Sequence, residues 1–202
     1  MQIVFQNPYS SFDPRFNVLN AVGEPLRTHT RLRRDEQVRR VKEVLESCGM
    51  PGEILYRYPH EFSGGQLQRL AVARALALQP KFLVLDEPTS ALDVSVQAQI
   101  LNLLEQLQQE RQLTFLFISH DLSVVRHISD RIAVMYLGRV VELAPTEALF
   151  RGALHPSTRA LLASAPVVDR ERRRERVILR GNVPNSADPP TGCTFHPRCP
   201  AC

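Results

Sequence analysis

The run KFLVLDEP at residues 81–88 constrains this chain more than any other stretch. Its apolar core, Phe82 to Leu85, ends in two carboxylates, Asp86 and Glu87. An apolar run of that length with no polar alternation reads as a buried strand of a parallel sheet. A second such run, LTFLFISHD at 113–121, reads as another buried strand and also ends in polar residues. Between them lies DVSVQAQILNLLEQLQQER at 93–111, an amphipathic helix with Asp93 suited to cap it. A helix follows the second strand at LSVVRHISD. This alternation describes an α/β fold around a parallel sheet. Ligands of such sheets gather at the C-terminal ends of the strands, where Asp86, Glu87 and His120 fall.

The flanking segments extend this frame. QIVFQ at 2–6 reads as a short strand ending in a loop of Asn7, Pro8 and two serines. In RRDEQVRRVKEVLESCGM at 33–50, Val38, Val41, Val44 and Leu45 recur at helical spacing. Cys48 falls on the same side and reads as an inert buried thiol. After a break at Tyr58-Pro59-His60, Ser63 opens a helix that runs to about Leu78 and stops at Gln79-Pro80. RIAVMYLGRVVELAP at 131–145 reads as two short strands joined near Leu137-Gly138. From about 151 the character changes: HPSTRALLASAP suggests one short helix, and DRERRRERV at 169–177 reads as a solvated charge run. After Gly181 the chain is loop-like.

Composition excludes several classes. The net charge of +4 is too small to argue for nucleic acid, and Lys42 and Lys81 are the only lysines. The longest apolar runs fall far short of the ~20 residues of a membrane span. The first residues, MQIVFQNPYSSFDP, have no charged leader before an apolar run, unlike a signal peptide. Cys48 stands alone and Cys193, Cys199 and Cys202 cluster at the end, which is no secreted disulfide framework and suggests a reducing, cytosolic compartment.

Four motifs carry chemistry. In FSGGQLQRLAVAR at 62–74, small residues at a helix start can cup a phosphate with free N–H groups, yet no lysine follows the glycines as it does in a phosphate loop. FLVLDE at 82–87 places one carboxylate to hold Mg²⁺ through water and a second to polarise an attacking water. PTSALD at 88–93 and SHD at 119–121 complete the series.

In this order and spacing, the four motifs resemble the nucleotide-binding subunit of an ABC transporter, over residues 2–150. The resemblance implies a P-loop NTPase-like parallel sheet with a helical signature subdomain: a partial ABC ATPase domain at 1–150 and a short C-terminal extension at 151–202. Gln6 in VFQNP resembles the Q-loop glutamine, which senses Mg²⁺ and the γ-phosphate and couples to the membrane subunit. Ser63, Gly64, Gly65 and Gln66 match the signature, with Phe62 in place of its usual leucine. Asp86 matches the Walker B aspartate, which with Gln6 manages Mg²⁺, and Glu87 matches the general base. Ser90 to Asp93 match the D-loop, and His120 the switch histidine that meets the γ-phosphate.

QNPYSSFDPR at 6–15, HPSTRALLASAP and GCTFHPRCP at 192–200 resemble the oligopeptide/dipeptide/nickel importer branch of that family. The implied activity is ATP hydrolysis, with ATP and Mg²⁺ as cofactors, coupled to uptake of short peptides. The implied partners are a second ATP-binding subunit, identical or paralogous, in a head-to-tail dimer, transmembrane permease subunits and, indirectly, an extracytoplasmic solute-binding protein. The implied place is the cytoplasmic face of the cell membrane. The peptide-importer tail and the lack of a basic surface weigh against the nucleic-acid ATPases of the family. Tail cysteines of this branch bind an iron–sulfur cluster in some members. Cys193 and Cys199 fit that pattern, Cys202 follows too closely, and a fourth nearby cysteine is absent. Zinc on Cys193, His196, Cys199 and Cys202, or free thiols, are the other readings.

One family element is missing. No G-x-x-x-x-G-K-[ST] phosphate loop occurs in the 202 residues, and neither lysine follows a glycine pair. The expectation is an N-terminally truncated form lacking Walker A, with apolar strand faces partly uncovered and poor solubility alone. Two readings stand beside that of the active ATPase: a non-catalytic fragment that gives its signature to a sister subunit, and a nonfunctional remnant.

Overall fold

The computed structural model describes residues 1–164, 181–185 and 187–200; the charge run at 169–177 and Cys202 lie outside these. The packing divides into two units, 1–120 and 121–202.

The first unit is built on a parallel sheet of β1 (Gln2–Val4), β2 (Phe82–Asp86) and β3 (Thr114–Ile118), in the order β1-β2-β3. Ile3 aligns with Val84 and Val84 with Leu116, so these side chains share one face; Val4, Leu85 and Phe117 share the other. On the second face Val4, Leu83 and Leu85 are buried. Full burial of a leucine is worth about 1.5–3 kcal/mol against leaving it in water, so this face anchors the sheet. The first face is open, with Ile3 40%, Leu116 50% and Ile118 43% exposed. The sequence reads 113–121 as a buried strand like β2. The structure keeps the strand and shows the partly uncovered face expected without the phosphate-loop region: β3 is the sheet's last strand among the described residues, and Thr114, Leu116 and Ile118 face solvent. An apolar run fixes strand character, whereas burial depends on what lies against it.

Helix α3 (Gly64–Leu76) is the hub of the unit, packing on β1 and on α1 (Val18–His29), α2 (Arg34–Ser47) and α4 (Val94–Arg111). It is buried over most of its surface, with Leu67, Leu70, Val72 and Leu76 inside, as befits a central helix. It carries one buried polar side chain, Gln68, whose amide has no hydrogen-bond partner among the described residues. Helix α2 begins where the Glu36 carboxylate accepts from the Arg33 N–H at 2.6 Å, and it buries Val41, Val44 and Leu45. Cys48 is fully buried, and burial pushes its thiol up to about 12, as an inert core thiol requires. Helix α1 does not stand out in the sequence, since Pro25 sits inside it; Asn17 caps it, and Val18, Leu19, Val22 and Leu26 bury one side. Helix α4 buries Ile100, Leu103, Leu104 and Leu107.

The second unit holds α5 (Leu122–Ile128), the antiparallel strands β4 (Arg131–Tyr136) and β5 (Arg139–Pro145), α6 (Thr146–Gly152) and α7 (Pro156–Ser164). Leu137 (φ 46°) and Gly138 (φ 75°) turn β4 into β5; two positive φ values in a two-residue turn match the right-handed twist of a hairpin. Val125, Ile132, Val134, Leu149 and Leu162 form its core. The Glu142 carboxylate accepts the N–H groups of Leu154 (2.8 Å) and His155 (3.1 Å), fixing the turn into α7. Phe195 is buried edge-on against Tyr136 at 5.1 Å and lies 5.4 Å from the His155 ring, so the tail packs on the His-Pro segment.

Candidate functional site

Three strand ends converge at one end of the sheet. Gln6 lies just past β1, Asp86 ends β2 with Glu87 next, and His120 follows β3. The Gln6 Nε2 donates to Glu87 Oε2 at 2.8 Å, and His120 Nδ1 lies 3.1 Å from Glu87 Oε1. One carboxylate is thus held on both oxygens by residues far apart in sequence. The backbone supports this aim. Glu87 has φ 45°, in the left-handed region that non-glycine residues seldom occupy, and such residues cluster where function demands a particular direction. Its N–H donates to the Ile118 carbonyl at 3.0 Å, and its carbonyl accepts from the Ser90 N–H (3.2 Å) and hydroxyl (3.1 Å). The Glu87 side chain is one quarter exposed and that of His120 is open to solvent. Water can therefore reach the carboxylate.

The signature residues form a separate feature. Ser63 caps α3: its hydroxyl accepts from the Gln66 N–H at 3.4 Å, and the Gln66 carboxamide oxygen accepts from the Ser63 N–H at 3.0 Å. This reciprocal pair satisfies two otherwise free donors at the helix start and fixes the Gly64-Gly65 turn between them. A side chain on Gly64 would meet the Tyr9 hydroxyl at 3.3 Å and Leu92 at 3.4 Å, and one on Gly65 would overlap Val96. Asp93 caps α4, accepting from the Val96 N–H at 3.0 Å and the Ser95 hydroxyl at 2.8 Å; the Val96 amide, with Ser95, holds its carboxyl below the ordinary aspartate value.

So the structure joins Gln6, Glu87 and His120 directly and sets Asp86 beside them on β2. Ser63 to Gln66 and Asp93 occupy two helix starts. Arg74 was missed in the sequence: from α3 it donates to the Ser11 carbonyl at 2.5 Å and lies 4.7 Å over the Phe12 ring. Burial pushes its guanidinium down, so the contact is partly desolvated. It ties the loop after Gln6 to the signature helix. Nothing local in ARAL at 73–76 signals that reach. A cleft between β1, α1 and α3, bordered by Phe5, Glu24, His29 and Arg74, contains none of Gln6, Glu87 and His120.

Cys193 is an exposed free thiol and Cys199 a half-buried one, and His196 Nδ1 lies 2.9 Å from the Cys193 carbonyl. No group of three metal-ligating side chains forms among the described residues, and Cys202 lies outside them. The described thiols alone do not make up the ligand set of an iron–sulfur cluster.

Two family models match the chain: ABC transporter over residues 1–90, and the C-terminal region of the oligopeptide/dipeptide transporters over 141–202. The oligopeptide transport ATP-binding protein AppF of Bacillus subtilis is 52% identical over 202 residues, 99% of this chain and 61% of that protein. The di/tripeptide transport ATP-binding protein DppF of Pseudomonas aeruginosa is 50% identical over 200 residues, 99% of this chain and 62% of that protein. OppF of Escherichia coli is 49% identical over 203 residues, 99% and 61%. The chain thus spans about three fifths of the length of these relatives. Among solved structures, cbiO1 of Clostridium perfringens, part of the ABC transporter complex cbiONQ, superposes with a TM-score of 0.66 at 32% identity, covering 74% of this chain and 59% of that one. A dimeric ATP-binding cassette bound to ADP and Pi superposes with a TM-score of 0.62 at 32% identity, covering 72% and 62%.

Proposed function

We infer that the chain is one of the ATP-binding proteins of the oligopeptide/dipeptide ABC transporters, and from that premise propose that it works in a pair of such subunits that hydrolyse ATP to drive peptide uptake. The observation that carries this reading is the Glu87 carboxylate, held by Gln6 and His120 at the strand tips. A carboxylate so oriented, and reached by water, can accept a proton from an attacking water. His120 steers that carboxylate through Nδ1, and its side chain is open to solvent. Gln6 commits its amide N–H to Glu87, which leaves its carbonyl oxygen for a cation. Asp86 lies on the adjoining strand end, the second oxygen donor for Mg²⁺. Mg²⁺ bound with ATP supplies neutralisation of the charge that builds on the phosphates.

The phosphate loop of such a site has to come from polypeptide other than these 202 residues, which contain no G-x-x-x-x-G-K-[ST]. A second reading of the same pair rests on the intact signature turn: the chain gives Ser63 to Gln66 to a nucleotide held by a sister subunit. On either reading 1–150 is the ATPase part and 151–202 the peptide-importer extension. No described helix is long and apolar enough to cross a membrane. In the proposed reading, permease subunits carry the contact with the bilayer, on its cytoplasmic face. A solute-binding protein delivers the peptide from the far side.

The test is ATP turnover by the assembled importer. Glu87→Gln should abolish hydrolysis and spare ATP binding; unchanged hydrolysis removes Glu87 from the role of base. For the second reading, the 202-residue chain is mixed with a sister subunit that has a phosphate loop. Association that requires Mg·ATP supports signature donation, and association indifferent to nucleotide refutes it.

A further inference from the structure

The signature turn rests on a seat made by its own chain. Gly65 has ordinary backbone angles, so conformational freedom does not explain the residue. The space its side chain would take is filled: a Cβ on Gly65 would lie far inside van der Waals contact with Val96 Cγ1, while Val96 Cβ and Cγ2 would stand at 3.7 and 3.9 Å. Val96 cannot readily turn away. It sits in the first turn of α4, where a β-branched side chain keeps essentially one χ1 rotamer. Its position is fixed by Asp93, whose carboxylate accepts the Val96 N–H at 3.0 Å. Gly64, next in the turn, has Leu92 and Tyr9 where its own side chain would lie.

We propose that Val96, backed by the Asp93 cap, is the positioning residue of the signature turn, so that the start of α3 and the start of α4 move as one body. This rests on the reading above that Ser63 to Gln66 close over a nucleotide. It adds that Gly65 is glycine because of a neighbour in its own chain, and that the D-loop and the signature are joined mechanically. A shift of Asp93 is carried through Val96 to Gly65.

The claim is tested by compensation. Gly65→Ala should lower the thermal midpoint of the chain by on the order of 5 °C, the usual result of overpacking. Adding Val96→Ala removes Cγ1 and Cγ2 and leaves Cβ at an ordinary 3.7 Å, so the double variant should regain most of that loss. Adding Val96→Ile instead keeps Cγ1 and should regain nothing. A double variant no more stable than the sum of its parts overturns the seat. If Gly65→Ala alone does not fold, recovery of a cooperative melt only in the Val96→Ala background still decides the matter.

The second readout is Mg·ATP-dependent association with a sister subunit that has a phosphate loop. Gly65→Ala should weaken it about tenfold or more, and Val96→Ala should restore it. Stability regained without association would mean that glycine is demanded by the phosphate, which overturns the positioning role and leaves the proposed function standing. Wild-type chain that never associates under Mg·ATP defeats the signature-donation reading, and the melts then decide the seat alone.

Discussion

The strand-tip group and the signature turn solve opposite problems. At the strand tips the proposed chemistry lies in side chains, and the backbone bends to suit them: Glu87 takes a left-handed φ where Gln6 and His120 hold its carboxylate. At the signature turn the proposed chemistry lies in the backbone of a helix start, and side chains from elsewhere pack to suit it. Ser63 and Gln66 cap each other, and Val96, Leu92 and Tyr9 fill the places where side chains on Gly64 and Gly65 would lie. The difference teaches where each can be broken. A side-chain site can lose function with its fold intact. A backbone site can be reached only through packing, so damage there shows in stability as well.

The largest expected effect separates the two. Glu87→Gln should lower turnover of the assembled importer by ~10²–10⁴-fold, the span of a general base, with the thermal midpoint unmoved. A fall in the midpoint of several degrees would erase the contrast. Next comes Leu104→Ala on the buried side of α4, which should cost about 2–5 kcal/mol in denaturant unfolding. Among variants that still fold, it should weaken Mg·ATP-dependent association more than Glu87→Gln does, because the seat of the turn is loosened. Equal effects on association would mean that α4 does not support the turn. Ser63→Ala, which removes one of the two reciprocal caps, should cost about 1 kcal/mol, or roughly 2–4 °C in a chain of this size.

The smallest effect is one of pH. The Asp93 carboxyl is held below its ordinary value by the Val96 amide and the Ser95 hydroxyl. A carboxyl lowered on folding stabilises the protein above its unfolded pKa, and that contribution is lost as pH falls through the folded value. Midpoints measured downward from about pH 6 should therefore fall off below about pH 4 in part through Asp93. Asp93→Asn keeps the capping oxygen and removes the titrating group, so it should slightly flatten this part of the profile, the effect being small because the group is at the surface. A steeper profile in the variant would contradict the assignment.

Much of this was legible in the sequence. Strand β2, both helix caps, Ser63 and Asp93, the buried Cys48 and the turn at Leu137-Gly138 follow from patterns within a few residues. The meeting of Glu87 and His120 followed from the rule that parallel strands present their C-terminal ends together, whereas Gln6 was added to that end of the sheet by the family resemblance. Helix α1 was hidden because Pro25 cannot donate to the carbonyl one turn back, and the apolar side built by Val18, Val22 and Leu26 outweighs that loss only once packed. The open face of β3 was expected from the lack of a phosphate loop in these residues, but not from Phe115 to Ile118 themselves, which are apolar whether or not anything covers them. The seat under the signature turn was hidden because Val96 is an ordinary residue of an amphipathic helix until the fold sets it against Gly65.

The left-handed backbone at Glu87 also shapes how this position tolerates mutation. Asparagine, aspartate and glycine enter that region at little cost, whereas β-branched residues do not. A saturation library at residue 87 should split into two populations of inactive clones. Gly, Asn and Gln variants would accumulate as well-folded, inert protein able to occupy a place in an assembly and poison it. Val and Ile variants, carrying a backbone penalty of about 1–2 kcal/mol as well, would be depleted by degradation. Dominance and abundance would then sort with φ at this residue, independently of the lost carboxylate.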